Sequence, residues 1–99
     1  FFFFFFFFLF IFFNFFYLDK TELNLVAAGT TQIVKLAATY SWDIIDKPSW
    51  VNINPSYGSG NKTLYISATA TSESRSGVVI FGTLGRNRKY ITLNINQTV

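Results

Sequence analysis

The sequence predicts an all-β, immunoglobulin-like β-sandwich of about seven strands, preceded by an apolar, Phe-rich N-terminal tract. Three observations carry this. Apolar and polar residues alternate with period two from Thr21 onward, turn residues recur about every 8–12 positions, and the helix period is absent.

Leu23 and Leu25 alternate with Glu22 and Asn24, which makes a first strand. Gly29-Thr30-Thr31 is a turn, and residues 32–38 are a second strand. In the third, 41–45, Trp42 and Ile44 share one face while Ser41 and Asp43 share the other. Asp46-Lys47-Pro48-Ser49 punctuates the chain before a fourth strand, 50–54. There Val51 and Ile53 point one way and Trp50 and Asn52 the other. Trp50 is thus expected at the strand entrance, capping one end of the sandwich, with Trp42 in its middle. Residues 54–61, rich in Pro, Gly and Ser, form a loop. Residues 63–70 alternate, with Leu64, Ile66, Ala68 and Ala70 inward and Tyr65, Ser67 and Thr69 outward. After a polar turn, residues 78–83 and 89–96 read as a hairpin across Gly85-Arg86-Asn87. Ile91, Leu93 and Ile95 face in; Tyr90, Thr92 and Asn94 face out.

The chain divides into a low-complexity tract, residues 1–18, and a domain, residues 19–99. Of the 14 Phe residues, all but Phe81 fall in the first sixteen positions. The tract is one apolar run broken by Asn14. It is long enough to cross a bilayer, yet it lacks the basic start and the small-residue cleavage site of an export signal. Thymine-rich DNA read as protein would give the same composition. A packed part of the fold is the third reading. A membrane is a partner only if residues 1–18 are a genuine anchor. There is no Met, so the chain reads as a fragment, a processed form or an incomplete gene model. A domain of this size buries only about 60–65% of its unfolded surface, so modest stability is expected.

The chemistry is narrow. With no His and no Cys, neither a Ser–His nor a Cys–His nucleophile can be assembled, and no disulfide can form. Asp43 and Asp46 sit three apart at a strand end. A solvated strand end outweighs an acid–base pair or a Ca²⁺ site there. The sequence therefore reads as a non-enzyme with no cofactor and no metal. The net charge of +3 is small, and the cations are scattered apart from Arg86, Arg88 and Lys89, so nucleic acid is not an expected partner. Exposed aromatics remain. Sugars present C–H faces that pack on aromatic rings. Tyr57 in the Gly-rich loop and Tyr65 and Tyr90 on outward strand positions are the candidate carbohydrate-binding residues, against ordinary cross-strand packing. Trp42 and Trp50 read as core and end-cap packing before sugar platforms.

An ordered set of residues carries a family likeness. It comprises Trp42, Trp50, the turn Pro55-Ser56-Tyr57-Gly58, the pair Gly60-Asn61, Arg75 opening the penultimate strand and Gln97 ending the last. From about Glu22 to Gln97 the chain resembles the BACON domain, a Bacteroidetes-associated, often N-terminal carbohydrate-binding module. It departs from the family pattern at Ala68-Thr69-Ala70-Thr71, so the turn leading to Arg75 is expected to be built differently. The resemblance implies an immunoglobulin-like fold in an exported, extracellular or cell-surface bacterial protein. It implies a polysaccharide or a host or plant glycan as partner, with glycoside hydrolase domains as neighbours. The alternative it leaves open is a structural spacer or adhesion module.

Overall fold

Alternation decides which side of each strand is buried, and two sheets result. In the computed structural model, which describes residues 14–99, the strands are β1 (Phe16–Leu18), β2 (Glu22–Val26), β3 (Gln32–Ala38), β4 (Ser41–Asp46), β5 (Val51–Asn54), β6 (Tyr57–Ser59), β7 (Lys62–Ala68), β8 (Arg75–Thr83) and β9 (Tyr90–Thr98). One sheet has the order β1-β3-β7-β5 and the other β2-β9-β8-β4-β6. Every pairing is antiparallel except β2 with β9.

The first sheet turns Val34, Leu36, Leu64, Ile66 and Val51 inward. The second turns Leu23, Leu25, Trp42, Val79, Phe81, Leu93 and Ile95 to meet them, all essentially inaccessible to solvent. Burying each such side chain stabilises the fold by about 1.5–3 kcal/mol relative to exposure. Trp42 is the largest buried side chain. Its ring meets Phe81 edge to face at 6.0 Å, and its indole Nε1–H donates to the Gly60 carbonyl at 3.1 Å. Gly29 sits at φ 75°, and any Cβ there would overlap the carbonyl of Ala68, whose N–H donates to Gly29 O. That close approach needs glycine.

The strands differ from expectation at five places. Among the described residues there are nine rather than about seven, because two three-residue strands form where period-two alternation has no length to show itself. One is β1, inside the tract; the other is β6, inside the Pro/Gly/Ser loop. Trp50 lies in the turn before β5, half-buried, rather than in the strand. β7 stops at Ala68, and Ala70 is exposed. Thr69 N–H turns to Trp50 O and Thr71 N–H to Ala27 O, which takes the chain out of the sheet. β8 begins at Arg75, three residues early.

Two crossings close the sides. Residues 19–21 carry the chain from β1, on the edge of one sheet, to β2, on the edge of the other. Asp19 N–H donates to Lys35 O at 3.0 Å, its Oδ1 accepts Lys35 N–H at 2.9 Å, and Lys20 Nζ donates to Ile33 O at 3.1 Å. These bonds occupy the β3 edge that short β1 leaves uncovered, an edge that would otherwise invite pairing with another chain. On the far side Pro55 and Ser56 link β5 to β6, and Ser56 O accepts Ile44 N–H at 3.1 Å.

One end of the sandwich is sealed by polar groups. The fully buried Gln97 amide shares its N–H groups among the carbonyls of Val26, Ala27 and Thr69 at 3.2, 3.1 and 2.9 Å. Its Oε1 accepts Arg75 Nε–H at 2.8 Å. Arg75 also donates to Thr69 O and Oγ1, and its guanidinium lies 4.4 Å from the Trp50 ring centroid.

Two outcomes follow for stability. Trp42→Ala removes the centre of the core, a change that costs about 3–5 kcal/mol of a total of about 5–15 kcal/mol. Urea titration should find the variant largely unfolded, and a midpoint within error of the parent would contradict the packing. Separately, residues 14–99 and 19–99 should both melt cooperatively. The shorter chain should melt lower by about 5 °C or more, because it loses half-buried Phe16 and Leu18. Equal melting temperatures would show that β1 contributes nothing.

Candidate functional site

Register aligns four residues across the outer face of the five-stranded sheet. Tyr90 on β9 pairs with Gly82 on β8, Gly82 with Asp43 on β4, and Asp43 with Tyr57 on β6. Residues directly opposite share a face, so the row Tyr90–Gly82–Asp43–Tyr57 crosses four strands, roughly 14 Å from end to end. Gly82 is the gap in the row. A Cβ there would lie 2.9 Å from Ile45 side-chain carbons and 3.1 Å from Arg88 Nη2. Its absence lets Arg88 lie across the sheet. Arg88 Nη2 donates to Asp43 Oδ1 at 3.0 Å, Nε donates to Thr83 O at 2.6 Å, and the guanidinium carbon is 5.8 Å from the Tyr90 ring centroid. The ion pair is part-exposed, so it adds less than about 1 kcal/mol and serves mainly to hold two polar heads between two rings. Tyr57 is 73% exposed and Tyr90 57%.

Tyr65 does not join them. It lies on the outer face of the other sheet, between Ile33 and Asn54, half-exposed. The three candidate tyrosines therefore form one pair and one outlier on opposite faces. Tyr17, 56% exposed, is an aromatic the sequence reading passed over. It sits inside the apolar run, and only the ending Tyr17-Leu18-Asp19 marked the change of character. Trp42 is core and Trp50 is stacked under Arg75, so neither offers a platform. Asp43 is engaged by Arg88. Among the described residues no three potential metal ligands gather, and no helix is long and apolar enough to cross a membrane.

The fold and this surface define a small immunoglobulin-like sandwich that presents tyrosines and amide- and hydroxyl-rich strands. The chain belongs to the BACON family, described as "Putative binding domain, N-terminal", whose profile matches residues 40–98. Among solved structures it is similar to a Bacteroides ovatus GH5 xyloglucanase in complex with a XXXG heptasaccharide. The TM-score is 0.70 at 18% identity, over 87% of this chain and 19% of that one. It is also similar to the periplasmic chaperone SfaE, with a TM-score of 0.62 at 14% identity, over 84% of this chain and 57% of that one. The E. coli chaperone DraB gives 0.61 at 10% identity, over 86% and 55%. These likenesses define the fold. The chain spans about a fifth of the xyloglucanase and little more than half of either chaperone. No curated protein matches it by sequence.

Proposed function

We propose that this chain is a non-catalytic glycan-binding module of an exported protein, acting outside the cell or at its surface. The observation that carries the reading is the cross-strand row in which Tyr57 and Tyr90 flank the Arg88–Asp43 pair. The rings offer faces for sugar C–H groups, and the charged heads between them offer a donor and an acceptor for hydroxyls. The family's description as a binding domain supports the reading, as does the likeness to part of a glycan-degrading enzyme. A glycoside hydrolase domain as neighbour is part of the same proposal.

A second reading, a spacer that sets neighbouring domains apart, has its own observation. The described chain enters at the end where Thr39 N–H meets Phe15 O. It leaves at the opposite end, where Thr98 pairs with Val26. The nine residues of β9 alone run roughly 30 Å between those ends.

Binding through a shallow face should be weak. A millimolar dissociation constant corresponds to about −4 kcal/mol, and one copy has no avidity. Titration of the full chain with plant and host glycans should give dissociation constants in that range. Tyr57→Ala and Tyr90→Ala should weaken binding, and Tyr65→Ala should leave it unchanged. Loss of binding in Tyr65→Ala alone would move the site to the other face. No binding to any glycan would favour the spacer, and glycan cleavage would overturn both readings.

A further inference from the structure

We propose that the side of the sandwich between Tyr17 and Tyr90, with the hollow behind Tyr17, binds an acidic oligosaccharide, one whose sugars carry carboxylate or sulfate groups. The inference rests on the glycan-binding reading; it extends that site past Tyr90 to Tyr17 and gives the ligand a charge.

Concavity is the first argument. Ligand sites are clefts lined by apolar groups with a few polar groups to orient the ligand. The row on the sheet face is flat, but two open hollows meet at Tyr17. One, of about 350 Å³, lies where the β1–β2 crossing passes β9. Tyr17 and Tyr90 are its aromatic walls, Leu18 and Ile91 its apolar lining, and Thr21 and Thr92 its hydroxyls. Neither hydroxyl has a hydrogen-bond partner among the described residues, so both are open to a ligand. The other hollow, of about 330 Å³, lies on the outer face of the four-stranded sheet and is lined by Tyr17, Lys35, Ala37, Asn61, Lys62 and Thr63, with Asp19 at its side. Ala37 pairs directly with Tyr17, and its small side chain makes the hollow. An oligosaccharide could stack one ring on Tyr90, pass Tyr17 and end among the lysines.

Charge is the second argument, independent of the first. The Lys35 and Lys62 ammonium groups have no hydrogen-bond or ion-pair partner among the described residues. Asp19, the one carboxylate lining that hollow, already accepts the Lys35 backbone N–H with Oδ1. Beside Tyr90 the β8–β9 turn carries Arg86, Arg88 and Lys89, and of these only Arg88 is ion-paired among the described residues. Both approaches to the groove are therefore positive, although the whole chain carries only +3. A neutral glycan would make no use of that; a uronate or sulfated glycan would.

The test is calorimetric titration of the full chain with three probes: a polygalacturonate oligosaccharide, a chondroitin sulfate oligosaccharide and the neutral xyloglucan heptasaccharide. At least one acidic probe should bind more tightly than the neutral one. Its affinity should fall about threefold or more as ionic strength rises from about 0.01 M to about 1 M, where the screening length shrinks from about 30 Å to about 3 Å. Tyr17→Ala should weaken acidic binding about tenfold. So should Lys35→Glu, which breaks no side-chain hydrogen bond or ion pair among the described residues and whose melting temperature should match the parent; that variant decides the matter should Tyr17→Ala misfold. Equal affinity for neutral and acidic probes would overturn this inference and leave the glycan-binding reading standing. So would binding lost in Tyr57→Ala and untouched in Lys35→Glu. No binding to any of the three probes would overturn the inference, and failure across the wider glycan titration would overturn the reading as well.

Discussion

Everything on one flank of this molecule depends on a single crossing of the chain. Between Leu18 and Glu22 the backbone leaves the edge of one sheet and joins the edge of the other. A sandwich needs such a closure, because two stacked sheets expose four strand edges, and uncovered edges pair with other chains. Here three residues do the work. Asp19 satisfies both backbone polar groups of Lys35, Lys20 takes the Ile33 carbonyl, and Thr21 O accepts Asn94 N–H. The same crossing sets β2 parallel to β9 and brings Tyr17 to the groove that Tyr90 lines. Stability and surface chemistry thus share one cause.

The alternating pattern made most of the fold legible. Leu64, Ile66 and Ala68, and again Ile91, Leu93 and Ile95, lie on the core side as their spacing demands, because a strand admits only period two. What escaped was short or locally overruled. β1 and β6 are three residues each, too few to display alternation. Ala70 continues the pattern by sequence but not in space, since Thr69 and Thr71 spend their N–H groups on neighbouring loops. The apolar run concealed Tyr17, because a ring among phenylalanines carries no positional signal.

The family-like residues turn out to be structural. Arg75 and Gln97 bond to one another, Trp50 lies beneath Arg75, and Trp42 donates to the Gly60 carbonyl. Asn61 Oδ1 accepts the Ala38 N–H at 2.9 Å. Apart from the exposed Tyr57, the ordered set therefore reports how the two ends of the sandwich are sealed, not what the surface binds. That is why the fold could be read from sequence while the site could not. Tyr65 and Tyr90 were chosen by parity and Tyr57 by its place in a Gly-rich loop, and neither signal tells which of two sheets carries the ring. Register and the bare Gly82 separate Tyr65 from the other two.

The claim that the last residues of the apolar run belong to the fold can be tested without any ligand. Amide hydrogen exchange of the full chain reports each N–H on its own. The amides of Asp19, Lys35 and Thr39 all rest on the crossing and on β1: Asp19 donates to Lys35 O, Lys35 to Asp19 Oδ1, and Thr39 to Phe15 O. Protection of these three comparable to that of the β3–β7 ladder is the predicted result. Exchange at the rate of an unstructured peptide, with the β3–β7 ladder still protected, would show that β1 and its crossing are not part of the folded domain.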